Sequence, residues 1–470
     1  MKTFRYDLVV VGAGSGGYAA ARTARDLGAS VALVDHGPLG GLCILKGCMP
    51  SKTLLASSDA VSEIRESGEL GVSAGKLELD LPHIIERKRR LIAGFADYRI
   101  EGIKSFPLYE GQATFESANR LRVDDDVTLV AKHFVVATGS VVAPPVIPGL
   151  QETGYVDSDA VLDSGTLPGS IVVLGGGYVG AELGQFLARM GVKTTFVIRA
   201  KHLLSPEDKD VGDAVTFYFR EEGIDVRSSA QVSSVEKNGD KKVVRYHRDG
   251  KLESVEADEI FYALGRVPNF EGLGLDAAGV ECHAITGIRV DGAMRSCVPN
   301  IFAVGDVTGI HPLVHVAIYQ GELAARNAIL GTNEIADYSL QKTHTIFTDP
   351  QVAVAGATEK ELQAAGIPYF SGSYLFSDHG KALAINKTKG FVKMLASPLD
   401  GRILGAAIVG PQASELIHEV IVAMYYKGTA AQFAAIPHLH PTLAEILTYP
   451  AEEIVAQMAA EPENAVAARA

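Results

Sequence analysis

Leu8-Val9-Val10-Val11-Gly12-Ala13-Gly14-Ser15-Gly16-Gly17 decides the fold, because Ile171-Val172-Val173-Leu174-Gly175-Gly176-Gly177-Tyr178-Val179-Gly180 repeats its plan in mid-chain. Both are short β-branched runs leading into Gly-x-Gly-x-x-Gly, with glycines at 12, 14 and 17 and again at 175, 177 and 180. Each is followed by an Ala-rich helical stretch, Tyr18 to Leu27 and Ala181 to Met190. Each stretch stops at a glycine, Gly28 or Gly191, before a second strand, Ser30 to Val34 or Lys193 to Val197. Strand, glycine turn, helix, strand is the plan of a dinucleotide site. The glycines allow a tight turn and close approach of the backbone to a pyrophosphate, and the helix start supplies amide donors. One such motif is weak evidence; two, each in the right context, are strong.

The copies differ at the end of their second strands. From Gly12 the carboxylate Asp35 lies 35 − 12 = 23 positions on, where it can accept hydrogen bonds from ribose hydroxyls. The same step from Gly175 reaches 175 + 23 = 198, which is Ile198, followed by Arg199. A cation there pairs with a 2′-phosphate, so NADP(H) is expected over NAD(H), with Lys201 and His202 adding to the charge.

Just past the first unit runs Gly40-Gly41-Leu42-Cys43-Ile44-Leu45-Lys46-Gly47-Cys48-Met49-Pro50-Ser51-Lys52. Residues five apart in an ideal helix have Cα atoms about 8–9 Å apart. A disulfide needs less than about 7 Å. Cys43 and Cys48 therefore bridge only if the helix start is distorted, and Gly47 tolerates distortion. A bridge in such a place is expected to be reducible rather than structural. Beside a bound dinucleotide it would exchange electrons with a cofactor.

The rest of the chain is compatible with this chemistry. A length of 470 residues implies roughly three domains. A hydrophobic fraction of 47% with 21% charged residues is that of a soluble globular protein. The net charge of −13 argues against nucleic acid as the main partner. The basic run Arg87-Lys88-Arg89-Arg90 is expected to be a solvated helix face. Four cysteines are too few for a disulfide scaffold, and Cys282 and Cys297 are expected to be free thiols. No metal site is expected. The N-terminus runs straight into a strand without a secretory pattern. No stretch approaches the ~20 apolar residues that span a bilayer. A cytoplasmic location without a membrane partner is therefore expected.

Eight signatures in order make the resemblance specific: Gly12 to Asp35; Cys43 to Cys48 with Pro50-Ser51-Lys52; Ala137-Thr138-Gly139-Ser140; Gly175 to Glu182; Gly265-Arg266-Val267-Pro268-Asn269; Ala303-Val304-Gly305-Asp306; Phe347-Thr348-Asp349-Pro350; and His438-Leu439-His440-Pro441-Thr442-Leu443-Ala444-Glu445. Over essentially its whole length the chain resembles the FAD-dependent pyridine nucleotide–disulfide oxidoreductases of class I, which include dihydrolipoamide dehydrogenases, glutathione reductases and mercuric reductases. The resemblance implies an α/β protein with two Rossmann-like domains, for FAD and NAD(P), and a C-terminal α+β dimerisation domain. The expected boundaries are 1–145 and 269–337 for the FAD-binding domain, 146–268 for the NAD(P)-binding domain and 338–470 for dimerisation.

The resemblance also implies roles. FAD lies in the first unit, with Thr138, Gly139 and Asp306 among its ligands and Asp306 at the ribityl–pyrophosphate region. The nicotinamide cofactor lies in the second, with Gly265 and Arg266 nearby. Cys48 is the thiol beside the flavin and Cys43 the one that exchanges with substrate. Lys52 and Glu182 match a buried pair beside the flavin, and Tyr178 the aromatic that covers the nicotinamide pocket. His440, oriented by Glu445, is the acid–base catalyst, since proton exchange with a thiol needs a tuned imidazole and a carboxylate to orient it. It would act on the partner subunit's Cys43 in a homodimer.

There are departures. Leu42 replaces the usual Thr, and Leu45-Lys46 the usual Asn-Val. Lys46 either depresses a thiolate pKa or points to solvent. The tail Ala459 to Ala470 has no cysteine, which argues against the large thioredoxin reductases and mercuric reductases. The His440 and Asp349 regions look most like dihydrolipoamide dehydrogenases. Arg199 and Val316-Ala317-Ile318 look more like glutathione reductases, as does Arg22, a base also found in other members. Three readings follow. The first is an NAD(P)H:disulfide oxidoreductase of dihydrolipoamide type, the second an NADPH-dependent glutathione-type reductase, and the third a non-catalytic flavoprotein redox sensor. The complete set Cys43, Cys48, His440 and Glu445 counts against the third, because a sensor does not need the acid–base pair.

Overall fold

Strand β1 (Lys2–Val11) carries the alternation that builds the first sheet. Leu8 and Val10 join one apolar cluster, with Leu33 and Val135. Val9 and Val11 join another, with Val34, Phe134 and Val136. A strand buried on both faces is what a covered parallel sheet requires. The computed structural model describes residues 2–460. Within them the chain folds as two units, each drawn from three stretches of sequence.

The first unit comprises the described residues to Thr53, Ile85–Pro144 and Gly265–Gln341. In chain order it contains β1, helix α1 (Ser15–Asp26), strand β2 (Val31–Asp35), helix α2 (Leu42–Leu45) and the start of helix α3 (Cys48–Glu66). Most of helix α4 (Leu81–Lys104) follows, then strands β3 (Leu108–Glu110), β4 (Ala113–Ser117), β5 (Arg120–Val123), β6 (Val127–Val136) and β7 (Ser140–Val142). The sheet order is β3-β2-β1-β6-β5-β4, and Ile301–Ala303 adds to β6. The first three strands, β6 and Ile301–Ala303 run parallel, while β4 and β5 are antiparallel. Strand β7 pairs instead with Arg266–Pro268. The expected helix and second strand of the first repeat are thus α1 and β2, and Asp35 ends β2 as expected.

The second unit comprises Leu54–Ile84, Pro145–Leu264 and the described residues from Lys342. After helices α5 (Leu150–Thr153) and α6 (Ser158–Asp163) comes the repeat: strand β8 (Ser170–Leu174), helix α7 (Tyr178–Arg189) and strand β9 (Lys193–Val197). Helix α8 (Lys209–Glu221) and strand β10 (Asp225–Arg227) follow, then strands β11 (Gln231–Asn238), β12 (Lys241–Arg248), β13 (Lys251–Ala257) and β14 (Glu259–Tyr262). The parallel sheet has the order β10-β9-β8-β14, and β11-β12-β13 form an antiparallel sheet of their own. Beyond Lys342 a five-stranded antiparallel sheet runs from His344–Ile346 through Gln351–Gly356, Ile403–Gly410 and Phe391–Ala396 to Phe370–Leu375. Its core includes Val392, Met394, Ile408, Ile417, Phe433 and Ile454.

One basic expectation is corrected. Arg89 and Arg90 are exposed on α4, but Lys88 is only 3% exposed, so the run is not a uniform solvated face. The successive residues of a helix point about 100° apart, and the face carrying Lys88 is the one shared with Ile85 and Ile92. Cys282 and Cys297 are free thiols, as expected. No helix of the described residues is long and apolar enough to cross a membrane. The expected cysteine-free tail lies, beyond Ala460, outside the described residues.

Candidate active site

The break required between the two thiols is present. Helix α2 stops at Leu45, Lys46 caps it, and α3 starts afresh at Cys48. Gly47 sits against the turn it closes. A Cβ there would lie 3.0 Å from the Leu42 carbonyl oxygen and 3.2 Å from the Cys43 Cα. A side chain there would crowd the Leu42 carbonyl and the Cys43 backbone. Both are free thiols, Cys43 half-buried and Cys48 exposed. The Cys43 pKa is pushed far above the thiol range, first by its hydrogen bond to Cys48 and then by burial, with the charge of Lys52 opposing. Cys48 is the first residue of a 19-residue helix, where the positive end of the dipole favours a thiolate. Of the two, Cys43 is the thiol held in its protonated form. Lys46 is exposed.

The first glycine loop is shaped for a pyrophosphate. Gly12 has φ +98°, and a Cβ there would lie 2.4 Å from the Ala137 carbonyl oxygen. Gly14 caps α1 with no side-chain bond to its first amides, so those donors remain for a ligand. Gly16 and Gly17 lie buried in the first turn. The Asp35 carboxylate is held in place by the Ala13 and Gly37 amides, each at 2.7 Å. Its remaining lone pairs fit ribose hydroxyls. Further along, Ser140 donates to Asp306 at 2.7 Å, and Arg266 donates to both the hydroxyl and the carbonyl of Ser140. The Thr138 hydroxyl donates to the Asn269 carbonyl, and the Asn269 amide to the Gly139 carbonyl. The Ala143 amide donates to the Gly265 carbonyl. Hydrogen bonds thus join Thr138 and Gly139 through Asn269, Asp306 and Arg266 through Ser140, and Gly265 to Ala143, and the residues present fit FAD. Arg22 lies over the Tyr18 ring.

The second loop repeats the first in the other unit. Gly175 has φ +111°, and its Cβ would meet the Ala263 carbonyl oxygen at 2.4 Å. Gly180 packs against the Gly175 carbonyl. Gly177 caps α7, again with no side-chain bond, and no acidic residue stands in the first turn. Arg199 and Lys201 are exposed past β9, and among the described residues no ion pair holds Arg199. His202 is turned inward, its Nδ1 against the Leu203 carbonyl at 2.8 Å.

Tyr178 is gripped from two sides. Its hydroxyl donates to Glu207, and its ring stacks on His344 with centroids 5.6 Å apart. His344 Nε2 also meets Glu207, at 2.9 Å. Burial alone would lower the His344 pKa, but Glu207 outweighs it and the net shift is upward. Burial and Glu207 together push the Tyr178 phenol well above its usual range. Glu182, on α7, is buried and accepts the Phe347 amide at 2.9 Å.

His440 Nδ1 faces both Glu445 oxygens, at 3.1 and 3.0 Å, leaving Nε2 outward on a ring that is 74% exposed. His438 is different. It is 6% exposed and held between Glu419 and the Ile436 carbonyl. One histidine pins the loop, and the other presents its second ring nitrogen to the outside.

Glu207, His344 and the fully buried Arg189 escaped the sequence reading. Arg189 joins Asp59, Glu222 and Asp349. Their partners lie far apart in sequence.

Comparison with known proteins fits this geometry. A family model described as pyridine nucleotide-disulphide oxidoreductase matches residues 6–321. The dimerisation domain of the same family matches residues 343–451. Dihydrolipoyl dehydrogenase of Geobacillus stearothermophilus is 36% identical over 453 residues, covering 95% of each chain. Dihydrolipoyl dehydrogenase of Bacillus subtilis is 33% identical, covering 95% of this chain and 96% of its own. The solved structure of the HOCl-induced flavoprotein disulfide reductase RclA from Escherichia coli superposes with a TM-score of 0.84 at 26% identity, over 95% of this chain and 99% of its own.

Proposed function

Since the chain belongs to the FAD-dependent pyridine nucleotide–disulfide oxidoreductases, we propose that it uses NADPH in preference to NADH and exchanges electrons with a dihydrolipoamide-like dithiol or disulfide. It takes FAD and a pyridine nucleotide, and its dimerisation domain supports a homodimer. When bound, FAD carries electrons between a hydride donor and the thiols.

In this reading, residues 1–145 and 269–337 hold FAD, 146–268 hold the nicotinamide cofactor, and 338–470 make the dimer, in the cytoplasm. Gly12, Gly14, Gly17, Thr138, Gly139 and Asp306 bind and orient FAD. Asp35 takes its ribose, and Lys52 and Glu182 supply the charge pair beside it. Gly175, Gly177 and Gly180 shape the second site, Arg199 receives the 2′-phosphate, Tyr178 covers the nicotinamide pocket, and Gly265 and Arg266 stand with the first unit's cofactor residues. Cys48 holds a thiolate against the flavin position. Cys43 attacks or releases the substrate sulfur, and the partner subunit's His440 takes the proton from the attacking substrate thiol, or gives it to the leaving substrate thiolate, at Nε2. Glu445 holds Nδ1–H and stabilises the imidazolium.

The carrying observation is the bifurcated His440–Glu445 contact, which fixes one nitrogen and leaves the other outward. Steady-state turnover with lipoamide and with glutathione disulfide, each with NADPH and NADH, tests it. Lipoamide turnover well above glutathione disulfide turnover supports the reading. The reverse would favour the glutathione-type enzyme that the exposed Arg199 also fits.

A further inference from the structure

Buried polar atoms are almost always hydrogen-bonded, and each exception asks for a reason. His379 is such an exception. Its side chain is 1% exposed, and among the described residues neither ring nitrogen has a hydrogen-bond partner. It sits between the short helix Phe376–Asp378 and the helix Gly380–Ala384, whose cap it forms through its backbone. Its Nε2 points at Glu445 Oε2, 3.9 Å away, too far for a hydrogen bond and close enough for strong charge interaction. That oxygen is also 3.0 Å from His440 Nδ1. One carboxylate therefore faces two imidazoles, one outward and bonded, one buried and waiting.

We propose that His379 is a positioning residue for the acid–base pair: neutral, it leaves both Glu445 oxygens to His440, and on taking up a proton it draws Oε2 to itself and withdraws support from the His440 imidazolium. This rests on the reading of His440 and Glu445 as the pair that serves thiol–disulfide exchange. The surroundings make the two states distinct. From the helix Thr448–Ala460, Tyr449 meets the His379 ring edge-on at 6.3 Å, and Tyr374 of the neighbouring strand stacks on Tyr449 at 4.1 Å. Burial raises the Tyr449 pKa, so that phenol stays neutral and does not compensate a buried cation. Asp378 and Lys381, on its own short helices, carry opposite charges. Glu445 is the anion in reach and His440 the competing cation. Burial holds the His379 pKa down, with His440 acting in the same sense and Glu445 against both. His379 is therefore neutral at neutral pH and takes up its proton only in acid.

Two coupled imidazoles on one carboxylate titrate as a pair, with the second proton opposing the first. The acid limb of kcat/KM for dihydrolipoamide oxidation, which needs neutral His440, should be spread over a wider pH range than one proton gives. His379→Asn and His379→Gln remove the second titration. In both, the limb should sharpen to a single proton and move to higher pH by about half a unit. In a Glu445→Gln background the same changes should have no effect on the limb. Flavin content and melting temperature report folding. If neither variant folds, histidine NMR titration of the unmodified enzyme against Glu445→Gln decides. The His379 pKa should fall when the carboxylate is lost. A folded variant whose pH profile overlays the unmodified one, or a His379 titration indifferent to Glu445→Gln, overturns the proposal. Failure of the underlying reading looks different: His440→Ala would keep full dithiol turnover while the His379–Glu445 coupling persisted.

Discussion

His440 is an exposed imidazole with one nitrogen tied to a carboxylate, and the Cys43 thiol is held well above the usual thiol range by its hydrogen bond to Cys48 and by burial. These assignments can be separated residue by residue. His440→Ala should cut disulfide turnover about 10²–10⁴-fold, the usual contribution of a positioned acid–base group. Reduction of the flavin by the nicotinamide should survive, because that hydride step takes no proton from His440; stopped-flow measurement of each half-reaction checks both. For the thiols, Cys43→Ser should show long-wavelength charge-transfer absorption without reductant, since Cys48 then has no bridge to enter. Cys48→Ser should show none. Spectra with the opposite pattern would exchange the two roles. Much of this scale was legible in the sequence. Glycines, Asp35 and the His440–Glu445 spacing act over a turn or two of chain, so their chemistry survives in a linear reading. Glu207 and His344 did not show, because 137 positions separate two groups that meet at 2.9 Å only after folding.

At the scale of elements, the two glycine turns differ in what stands at the end of the second strand. Asp35 is locked by two amides, whereas Arg199 projects freely beyond β9. Pairing with a 2′-phosphate is worth on the order of 1.5–3 kcal/mol. That is roughly 10–100-fold in kcat/KM for NADPH over NADH, at ~1.4 kcal/mol per tenfold. The double change Ile198→Glu with Arg199→Ala should reverse the order, and equal use of both nucleotides by the unmodified enzyme would return the site to NAD. The Tyr178 support carries a pH signature. The His344 pKa is raised in the fold, so its pairing with Glu207 stabilises fully below about pH 6.5, the unfolded value, and is lost as pH rises through the raised one. The loss of melting temperature in Glu207→Gln should therefore be largest in mild acid and shrink toward alkaline pH. The Gly47 break was foreseeable because geometry forbids a bridge along an unbroken helix. The inward turn of His202 was not, because nothing in the local sequence announces the Leu203 carbonyl that captures it.

At the scale of the whole molecule, the proposed pairing of one subunit's thiols with the other's imidazole would make the dimer part of the catalyst. Mixing Cys43→Ser subunits with His440→Ala subunits, each inactive as homodimers, should restore activity. The mixed dimer keeps one composite site with both groups intact. If mixed dimers are shown to form by mass and no activity returns, His440 acts within its own chain or not at all. The repeat made the α/β class and the two-nucleotide plan readable before any coordinates. The buried knot of Arg189 with Asp59, Glu222 and Asp349 was not readable, because its four members come from four separate stretches of chain.

The interleaving of the units has a cost in time. The first sheet is not finished until Ile301–Ala303 lies down beside β6. At about 5–20 residues per second, a ribosome needs roughly 8–33 s to add the 303 − 136 = 167 residues between the end of β6 and the end of that strand. Throughout that interval the apolar edge of β6, from Phe134 to Val136, has no neighbour, and an open edge is a template for wrong pairing. The nascent chain thus spends most of its synthesis with its first domain incomplete, and its yield in a cell depends on what shelters that edge until the missing strand emerges.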